Sequence, residues 1–226
     1  MGELLQKDHR GVLQVVPWLE IPWLEHGFGT RHSEQWNLRR DAASLKQIHS
    51  DICVRVSGGE GRVAEGDGLM SDVPGVRLAV RTADCIPLLL ADTRLCAVAA
   101  VHAGWRGTAR AISAKAVAAM GAHFGSRPED LLVAVGPGIG GCCYEVGPEV
   151  AVQFKDLFPE RSDLDTAARI DLAEANRRQL LAAGVPPGNI AMARQCTGCC
   201  PGEFFSWRRE GKLAGRMIAL ISIRKN

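Results

Sequence analysis

The sequence predicts an α+β fold built on a mixed β-sheet, in a single domain that spans residues 1–226. Apolar segments with strand character and longer segments with helix character are mixed along the chain without strict alternation, which disfavours a doubly wound parallel sheet. The chain has 226 residues, 46% of them hydrophobic, which suffices for one sizeable core. No repeat, low-complexity run or long linker marks a domain boundary.

Apolar runs and turn signals predict the elements in chain order. The first 40 residues hold turn signals and the aromatic residues Trp18, Trp23, Phe28 and Trp36, and glycine-rich turns are expected at 58–61 and 66–68. Strands are predicted over residues 47–56, 76–80, 86–91, 96–102, 131–136, 204–207 and 217–223. Helices are predicted over residues 109–124, 148–157 and 171–183, the last with Asp171 as its N-cap and Gly184 as its stop.

Charge and hydropathy restrict the classes of partner. The chain has 27 basic and 25 acidic residues and a net charge of +2, so nothing favours nucleic acid or an anionic membrane, whereas a local anion such as phosphate is compatible. The N-terminal residues lack the pattern of a signal peptide, and no apolar run is long enough to span a bilayer. The sequence therefore predicts a cytoplasmic location and leaves protein partners open.

Two histidines and one cysteine form a candidate metal site. His49, Cys85 and His102 are separated by 36 and 17 residues, and together they match the ligands of a zinc ion with one open position. Spacing alone does not tie them together, and a turn histidine, a core cysteine and a core histidine would give the same pattern. Cys85 and His102 nevertheless lie at the ends of apolar strands, beside loops of polar and small residues where sites tend to form.

A glycine-rich segment and several arginines are candidates for binding phosphate. Glycines over residues 136–141 would let backbone N–H groups approach an anion, although a generic turn has the same composition. Phosphate is usually also held by arginine, and most surface arginines are merely solvated. The candidates are Arg31, Arg81, Arg106 and Arg208.

Eight cysteines in a protein expected to be cytosolic favour metal or thiol chemistry over disulfides. Cys196 and Cys199 form a Cys-x-x-Cys that could join Cys142 and Cys143 in a structural zinc site, but no second Cys-x-x-Cys accompanies it, and this interpretation is disfavoured. A redox dithiol is disfavoured as well, because Pro201-Gly202 follows where a helix is expected.

Taken together, these segments resemble the YfiH-like family, also called laccase-domain or multicopper polyphenol oxidases and described as purine nucleoside phosphorylases. The matching segments run in the family's order from about residue 26 to the C-terminus. They are residues 47–50, 66–69, 82–87, 101–107, 136–140, 142–146, 204–209 and 215–217. One departure is the loop after residues 29–31, which is shortened here to residues 32–38 and which bears on substrate specificity more than on the metal site.

The resemblance implies a layered α/β/β/α sandwich and a zinc ion bound by His49, Cys85 and His102, with copper as an alternative metal. It also implies phosphorolysis of adenosine, inosine and S-methyl-5'-thioadenosine, and hydrolytic deamination of adenosine, so the expected partners are purine nucleosides and phosphate. Asp84 is the expected proton shuttle, with Glu145 as the alternative. The expected substrate contacts are Arg31, Gln47, Asp67, Arg106 and Arg208, with Gln47 and Asp67 also able to orient the ligands.

Three other functions compete with this one. A multicopper oxidase needs further histidine-rich sites, and the six histidines include no His-x-His pair. A cysteine hydrolase would use Cys85 as nucleophile and His102 as base. A binding protein without activity is the third alternative.

Overall fold

The computed structural model of the chain describes residues 4–225. Within that range it contains fifteen β-strands. They are β1 Leu5–Lys7, β2 Leu13–Val15, β3 Leu24–Phe28, β4 Ala43–Lys46, β5 Cys53–Arg55, β6 Gly61–Glu65, β7 Gly68–Ser71, β8 Arg77–Thr82, β9 Ile86–Asp92, β10 Ala97–Ala103, β11 Leu131–Val135, β12 Glu145–Val146, β13 Ala168–Arg169, β14 Ile190–Met192 and β15 Met217–Ile223.

Six α-helices lie in the same range, and α3 and α5 are the only ones longer than five residues among the described residues. They are α1 Glu34–Asn37, α2 Trp105–Ala109, α3 Ile112–Phe124, α4 Pro148–Ala151, α5 Leu172–Ala182 and α6 Trp207–Glu210.

The strands form two large mixed sheets. One has seven strands in the order β1-β2-β3-β15-β8-β4-β6, and the other has six in the order β14-β11-β9-β10-β7-β5. Most neighbours are antiparallel, but β4 is parallel to β6 and β8, β11 to β14, and β5 to β7. The strands β12 and β13 pair separately.

The central strands are apolar along their whole length because both of their faces are buried. In β9, Leu88 and Leu90 pack toward the helices, whereas Leu89 and Ala91 pack against the seven-stranded sheet. Side chains alternate between the two faces of a strand, so such a strand in the middle of a layered protein lacks polar positions.

Helices cover the outer faces of the two sheets. The buried faces of α3 and α5 close the core on the six-stranded sheet. On the opposite side, Trp36 of α1 packs with Ala79 and Leu220 on the seven-stranded sheet. The layers therefore follow the order helix, sheet, sheet, helix, as the sandwich implied by the resemblance requires.

The structure corrects two predicted strands. Residues 47–52 form a loop between β4 and β5, in which His49 has a φ of 57°, so the strand predicted over 47–56 is limited to Cys53–Arg55. Residues 204–206 lie outside any strand, and Ser206 caps α6 by accepting a hydrogen bond from the backbone N–H of Arg209 at 3.3 Å. The strand predicted over 204–207 is therefore wrong, because the Ser206 hydroxyl stabilises the start of helix α6 at this point.

The helix predicted over 109–124 is interrupted. Ala111 takes a left-handed conformation with a φ of 62°, which separates α2 from α3. The predicted N-cap of α5 is present, since the Asp171 carboxylate accepts a hydrogen bond from the backbone N–H of Glu174 at 2.9 Å. The helix predicted over 148–157 ends as α helix at Ala151 and continues as a short 3-10 turn.

None of the helices within residues 4–225 is long and apolar enough to cross a membrane. The cytoplasmic location stays a prediction.

Candidate functional site

The antiparallel pairing of β9 with β10 brings the predicted cysteine and one of the histidines together. Ile86 lies opposite Ala103 in this pairing, and His102 lies opposite Pro87. Cys85 directly precedes β9, so it lies beside the end of β10 that carries His102. His49 reaches the same point from the loop after β4, and ligand atoms of the three residues lie within 4.8 Å of one another.

A fully buried carboxylate holds the two histidines in place. Asp67 accepts a hydrogen bond from His102 Nδ1 at 2.8 Å and from the backbone N–H of His49 at 3.1 Å. It also accepts from the backbone N–H and the hydroxyl of Ser50, at 2.6 and 2.7 Å. Because Nδ1 of His102 donates to Asp67, its other ring nitrogen is free to bind a metal.

Space for the three side chains depends on a glycine. A Cβ atom on Gly104 would lie 2.9 Å from His49 Cδ2 and 3.1 Å from Cys85 Sγ. Its φ of −74° is open to any residue, so the reason for glycine here is space. A neutral imidazole pair and a thiolate that converge with an open side fit a zinc or copper ion.

The charges around the site favour a thiolate. Burial raises the pKa of the Cys85 thiol, but the imidazoles of His102 and His49 outweigh burial and bring that pKa below its ordinary value of 9.0. Burial likewise lowers the pKa of His102, while Cys85 and Asp67 raise it above its ordinary 6.5. Metal binding would take the thiolate and the neutral imidazole, so it would release a proton from this pair.

The three residues open onto a cavity of about 950 Å³. This volume lies at the upper end of the range for small-molecule sites. Three aromatic side chains, Trp105, Tyr144 and Trp207, contribute to its wall. Trp207 is 49% exposed, and the guanidinium of Arg216 lies over its ring at 5.3 Å. The rest of the ring is available to a planar ligand.

The cavity wall is strongly basic. Six cationic side chains line it, and Asp84 is the single carboxylate among its lining residues in the described part of the chain. Lys46 is paired with Glu65 at 2.6 Å. Within residues 4–225 the other five have no carboxylate within ion-pair distance, so their charge is free for an anionic ligand. These five are Arg62, Arg81, Arg106, Arg208 and Arg216.

Five other predicted residues line this cavity, namely Gln47, Arg81, Asp84, Arg106 and Arg208. Asp84 has a φ of 89°, and its carboxylate accepts hydrogen bonds from the Thr197 hydroxyl at 2.6 Å and the Arg208 backbone N–H at 2.7 Å. Gln47 exchanges two hydrogen bonds of 2.8 Å with the backbone of Arg81. The guanidinium of Arg106 stacks on Trp105 at 4.2 Å, and that of Arg208 donates to the backbone carbonyl of Glu145 at 2.9 Å.

Three predicted residues do not reach the cavity. Arg31 forms an ion pair with Glu210 and stacks on Phe205 at 4.3 Å. Glu145 faces Arg169 with 3.8 Å between the charged atoms. Asp67 is fully buried behind His102, so it acts on the histidines and does not contact a ligand in the cavity.

Several lining residues were missed. Tyr144 and Arg216 lie in segments that carried the resemblance, so their place there was a usable signal. Burial and the nearby Cys85 thiolate raise the pKa of Tyr144 to about 12, which keeps its hydroxyl protonated as a donor. Arg62 lies on the edge strand β6, and no feature of the sequence points to it.

Comparison with known proteins identifies relatives over most of the chain. A family model described as "Multi-copper polyphenol oxidoreductase laccase" matches residues 30–224. The protein named "Purine nucleoside phosphorylase" of Deinococcus radiodurans is 42% identical over 185 residues, which are 81% of this chain and 70% of that protein. The protein named "Adenosine deaminase RL5", from an unknown prokaryotic organism, is 41% identical over 69% of this chain and 61% of its own length.

A solved structure shares the fold. The crystal structure of YlmD from Geobacillus stearothermophilus aligns with a TM-score of 0.87 at 30% identity and covers 99% of this chain and 100% of that one. The predicted α+β class with mixed sheets in a single domain is confirmed by this likeness.

Proposed function

This chain belongs to the family described as multi-copper polyphenol oxidoreductase laccase, and from that membership and its cavity we propose that it is a zinc-dependent purine nucleoside enzyme. The proposed reactions are phosphorolysis of adenosine, inosine and S-methyl-5'-thioadenosine, and hydrolytic deamination of adenosine. The names of the relatives from Deinococcus radiodurans and the unknown prokaryote support both reaction types.

One observation carries the proposal: a three-ligand centre with an open side faces a cavity whose wall combines arginines that have no ion-pair partner with aromatic side chains. Phosphorolysis needs a binding site for a dianion beside one for a base, and the cavity has room and chemistry for both. In this proposal Arg81, Arg106 and Arg208 hold phosphate, while Trp207 and Tyr144 pack on the purine ring.

The residues around the metal have separate roles in the proposal. Bound zinc would supply a Lewis acid at the cavity wall. Asp67 keeps His49 and His102 oriented, and Gln47 fixes the backbone of Arg81. Asp84 is proposed to hold the proton that moves in deamination, since each of its carboxylate oxygens accepts one hydrogen bond and retains a second acceptor site.

The direct test is incubation of the zinc-loaded protein with adenosine, with and without phosphate, and separation of adenine, inosine and hypoxanthine by chromatography. We expect adenine only when phosphate is present, and inosine in both samples. Absence of all three products would contradict the proposal and favour a binding protein. Oxidation of phenols by protein with stoichiometric copper would favour the copper-dependent polyphenol oxidase of the family's description instead.

Two variants distinguish a loss of phosphate binding from a general effect of removing a surface arginine. Removing the Arg106 charge with Arg106→Met should raise the KM for phosphate roughly tenfold or more, because a hydrogen bond to a charged group contributes about 1.5–3 kcal/mol. Arg40→Met is the matched control, since Arg40 is exposed and outside the cavity. Equal KM values for the two variants would remove Arg106 from the phosphate site.

The cysteine-hydrolase alternative makes a different prediction for metal-free protein. If Cys85 is the nucleophile, hydrolysis continues after zinc is removed, and alkylation of Cys85 abolishes it. If Cys85 is a zinc ligand, activity disappears with the metal and returns when zinc is restored.

A further inference from the structure

Four cysteines converge at a second place, outside the cavity. Cys142 and Cys143 lie in the loop after β11, and Cys196 and Cys199 lie between β14 and α6. Their sulfur atoms lie within 4.8 Å of one another. The sulfur of Cys199 is 3.4 Å from that of Cys142 and 3.3 Å from that of Cys143.

We propose that these four cysteines bind a structural zinc ion as a closed tetrathiolate site. A zinc–sulfur distance of about 2.3 Å in a tetrahedron places the sulfurs about 3.8 Å apart. Two of the observed separations, 3.3 and 3.4 Å, lie slightly below that value, and none exceeds 4.8 Å. Four protein ligands leave no open position, so this site would hold the fold together and would not bind substrate.

Backbone groups around the cluster suit a thiolate. The N–H of Gly140 donates to Cys196 Sγ at 3.1 Å, and the N–H groups of Gly198 and Cys199 face the same sulfur. Such N–H···S hydrogen bonds stabilise negative charge on a metal-bound sulfur. The N–H of Gly140 comes from the segment that carries Cys142 and Cys143, so this hydrogen bond links the two cysteine segments.

Two glycines make room for the four sulfurs. A Cβ atom on Gly198 would lie 2.9 Å from Cys143 Cβ and 3.0 Å from its sulfur. One on Gly140 would lie 3.3 Å from both Cys142 Sγ and Cys196 Cβ. Neither glycine has a positive φ, so close approach of the two cysteine segments is what requires them.

The sequence disfavours this site because it contains no second Cys-x-x-Cys. The structure supplies the missing pair as adjacent residues from a loop more than 50 positions earlier in the chain. A disulfide would join two of the sulfurs at about 2.05 Å. Here Cys199 Sγ is 3.3 Å from Cys143 Sγ, and all four sulfurs lie within 4.8 Å of one another. Four thiolates are typical of zinc and of iron–sulfur centres, and sulfurs within 4.8 Å of one another fit a single zinc ion.

The cluster also connects to the wall of the cavity. Tyr144 follows Cys143 directly, and Thr197 follows Cys196 and donates its hydroxyl to Asp84. A metal that joins the two segments would therefore fix two parts of the cavity wall. The proposal does not depend on the reaction that takes place in the cavity.

The test measures zinc per chain and its ligand shell in the full-length protein, purified and loaded with zinc under reducing conditions. We expect two zinc ions per chain by elemental analysis. Cys85→Ala should retain one, with a shell of sulfur atoms only at about 2.3 Å by zinc-edge X-ray absorption. Cys199→Ser should also retain one, with nitrogen in its shell.

Cys200→Ser is the matched control for Cys199→Ser, because Cys200 is the next cysteine in the chain and lies outside the cluster. It should retain two zinc ions. The proposal is overturned if Cys85→Ala binds no zinc, or if its zinc has nitrogen or oxygen ligands. Cys85→Ala leaves the four-cysteine cluster intact. Its zinc content and zinc ligands therefore test the proposal even if Cys199→Ser does not fold.

Discussion

Replacing Asp67 with asparagine tests the proposal that one buried carboxylate organises the zinc site. Asp67 accepts five hydrogen bonds, two at Oδ1 and three at Oδ2, with lengths of 2.6–3.3 Å. Burial raises the pKa of Asp67, but the hydrogen bonds from His102 and Ser50 outweigh it and keep the pKa below its ordinary 3.8. The carboxylate is therefore charged at neutral pH.

The amide of Asp67→Asn can satisfy only one of the two groups of donors. With its oxygen toward Ser50, its NH2 group faces the backbone N–H of His49 and the ring of His102. His102 would then have to accept at Nδ1 and carry its proton on Nε2, where it could no longer bind zinc. With the amide reversed, the donors of Ser50 and Ile48 face the NH2 group instead.

The first orientation leaves the His49 N–H without an acceptor, and the reversed one leaves the N–H groups of Ile48 and Ser50 without one, at about 1–3 kcal/mol each. The free energy of unfolding should therefore fall by roughly 1–6 kcal/mol. Zinc affinity at the proposed site of His49, Cys85 and His102 should fall 10–100-fold, which is the usual effect of losing the partner of a metal-bound histidine. Competition with a chelator of known zinc affinity measures the second quantity, and urea unfolding measures the first.

Asp92→Asn is the matched control. Asp92 is also fully buried and accepts two backbone hydrogen bonds, but it lies at the other end of β9, about 20 Å from the site. Both bonds end on Oδ1, so the amide oxygen of Asp92→Asn can keep them, and we expect this variant to leave zinc affinity unchanged. If both variants lost zinc affinity equally, or if Asp67→Asn bound zinc as tightly as the wild type, Asp67 would not be what orients the ligands.

Two further predictions concern space and protonation. Gly104→Ala should weaken zinc binding at least tenfold in the same chelator competition, because the new methyl carbon would lie 2.9 Å from His49 Cδ2. Gly58→Ala is the control. The added carbon would have no atom within 4 Å, so zinc binding should not change. Burial lowers the pKa of His26 in the folded protein to about 4. Between pH 4 and the ordinary pKa of 6.5, the unfolded chain binds a proton at this histidine and the folded protein does not. Stability should therefore fall by about 3 kcal/mol as the pH drops from 6.5 to 4, and denaturant titrations of His26→Gln should lose this slope whereas those of His9→Gln keep it. An unchanged slope in His26→Gln would assign the acid sensitivity to other groups.

The strands at the centre of the two sheets were predictable from local pattern. The run over 217–223 was assigned correctly, and that over 86–91 to within one residue, because strands buried on both faces leave an apolar signal that needs no knowledge of their neighbours. The strand predicted over 47–56 was largely wrong because the backbone N–H groups of residues 48–50 donate hydrogen bonds to the carboxylate of Asp67, which is distant in the chain, and not to a neighbouring strand. Tertiary hydrogen bonds overrode local propensity there.

His49, Cys85 and His102 were identifiable as candidate ligands from the sequence by itself, since Cys85 and His102 end apolar strands beside loops of polar and small residues, and their role as zinc ligands stays a prediction. Only the tertiary structure decided that they meet, because their approach depends on the register of β9 against β10 and on the carboxylate of Asp67. The tertiary structure also placed Arg62 in the cavity wall and Arg31 outside it, and it brought the four cysteines within 4.8 Å of one another. Those positions depend on contacts between residues far apart in the chain, which leave no periodicity or spacing in the sequence.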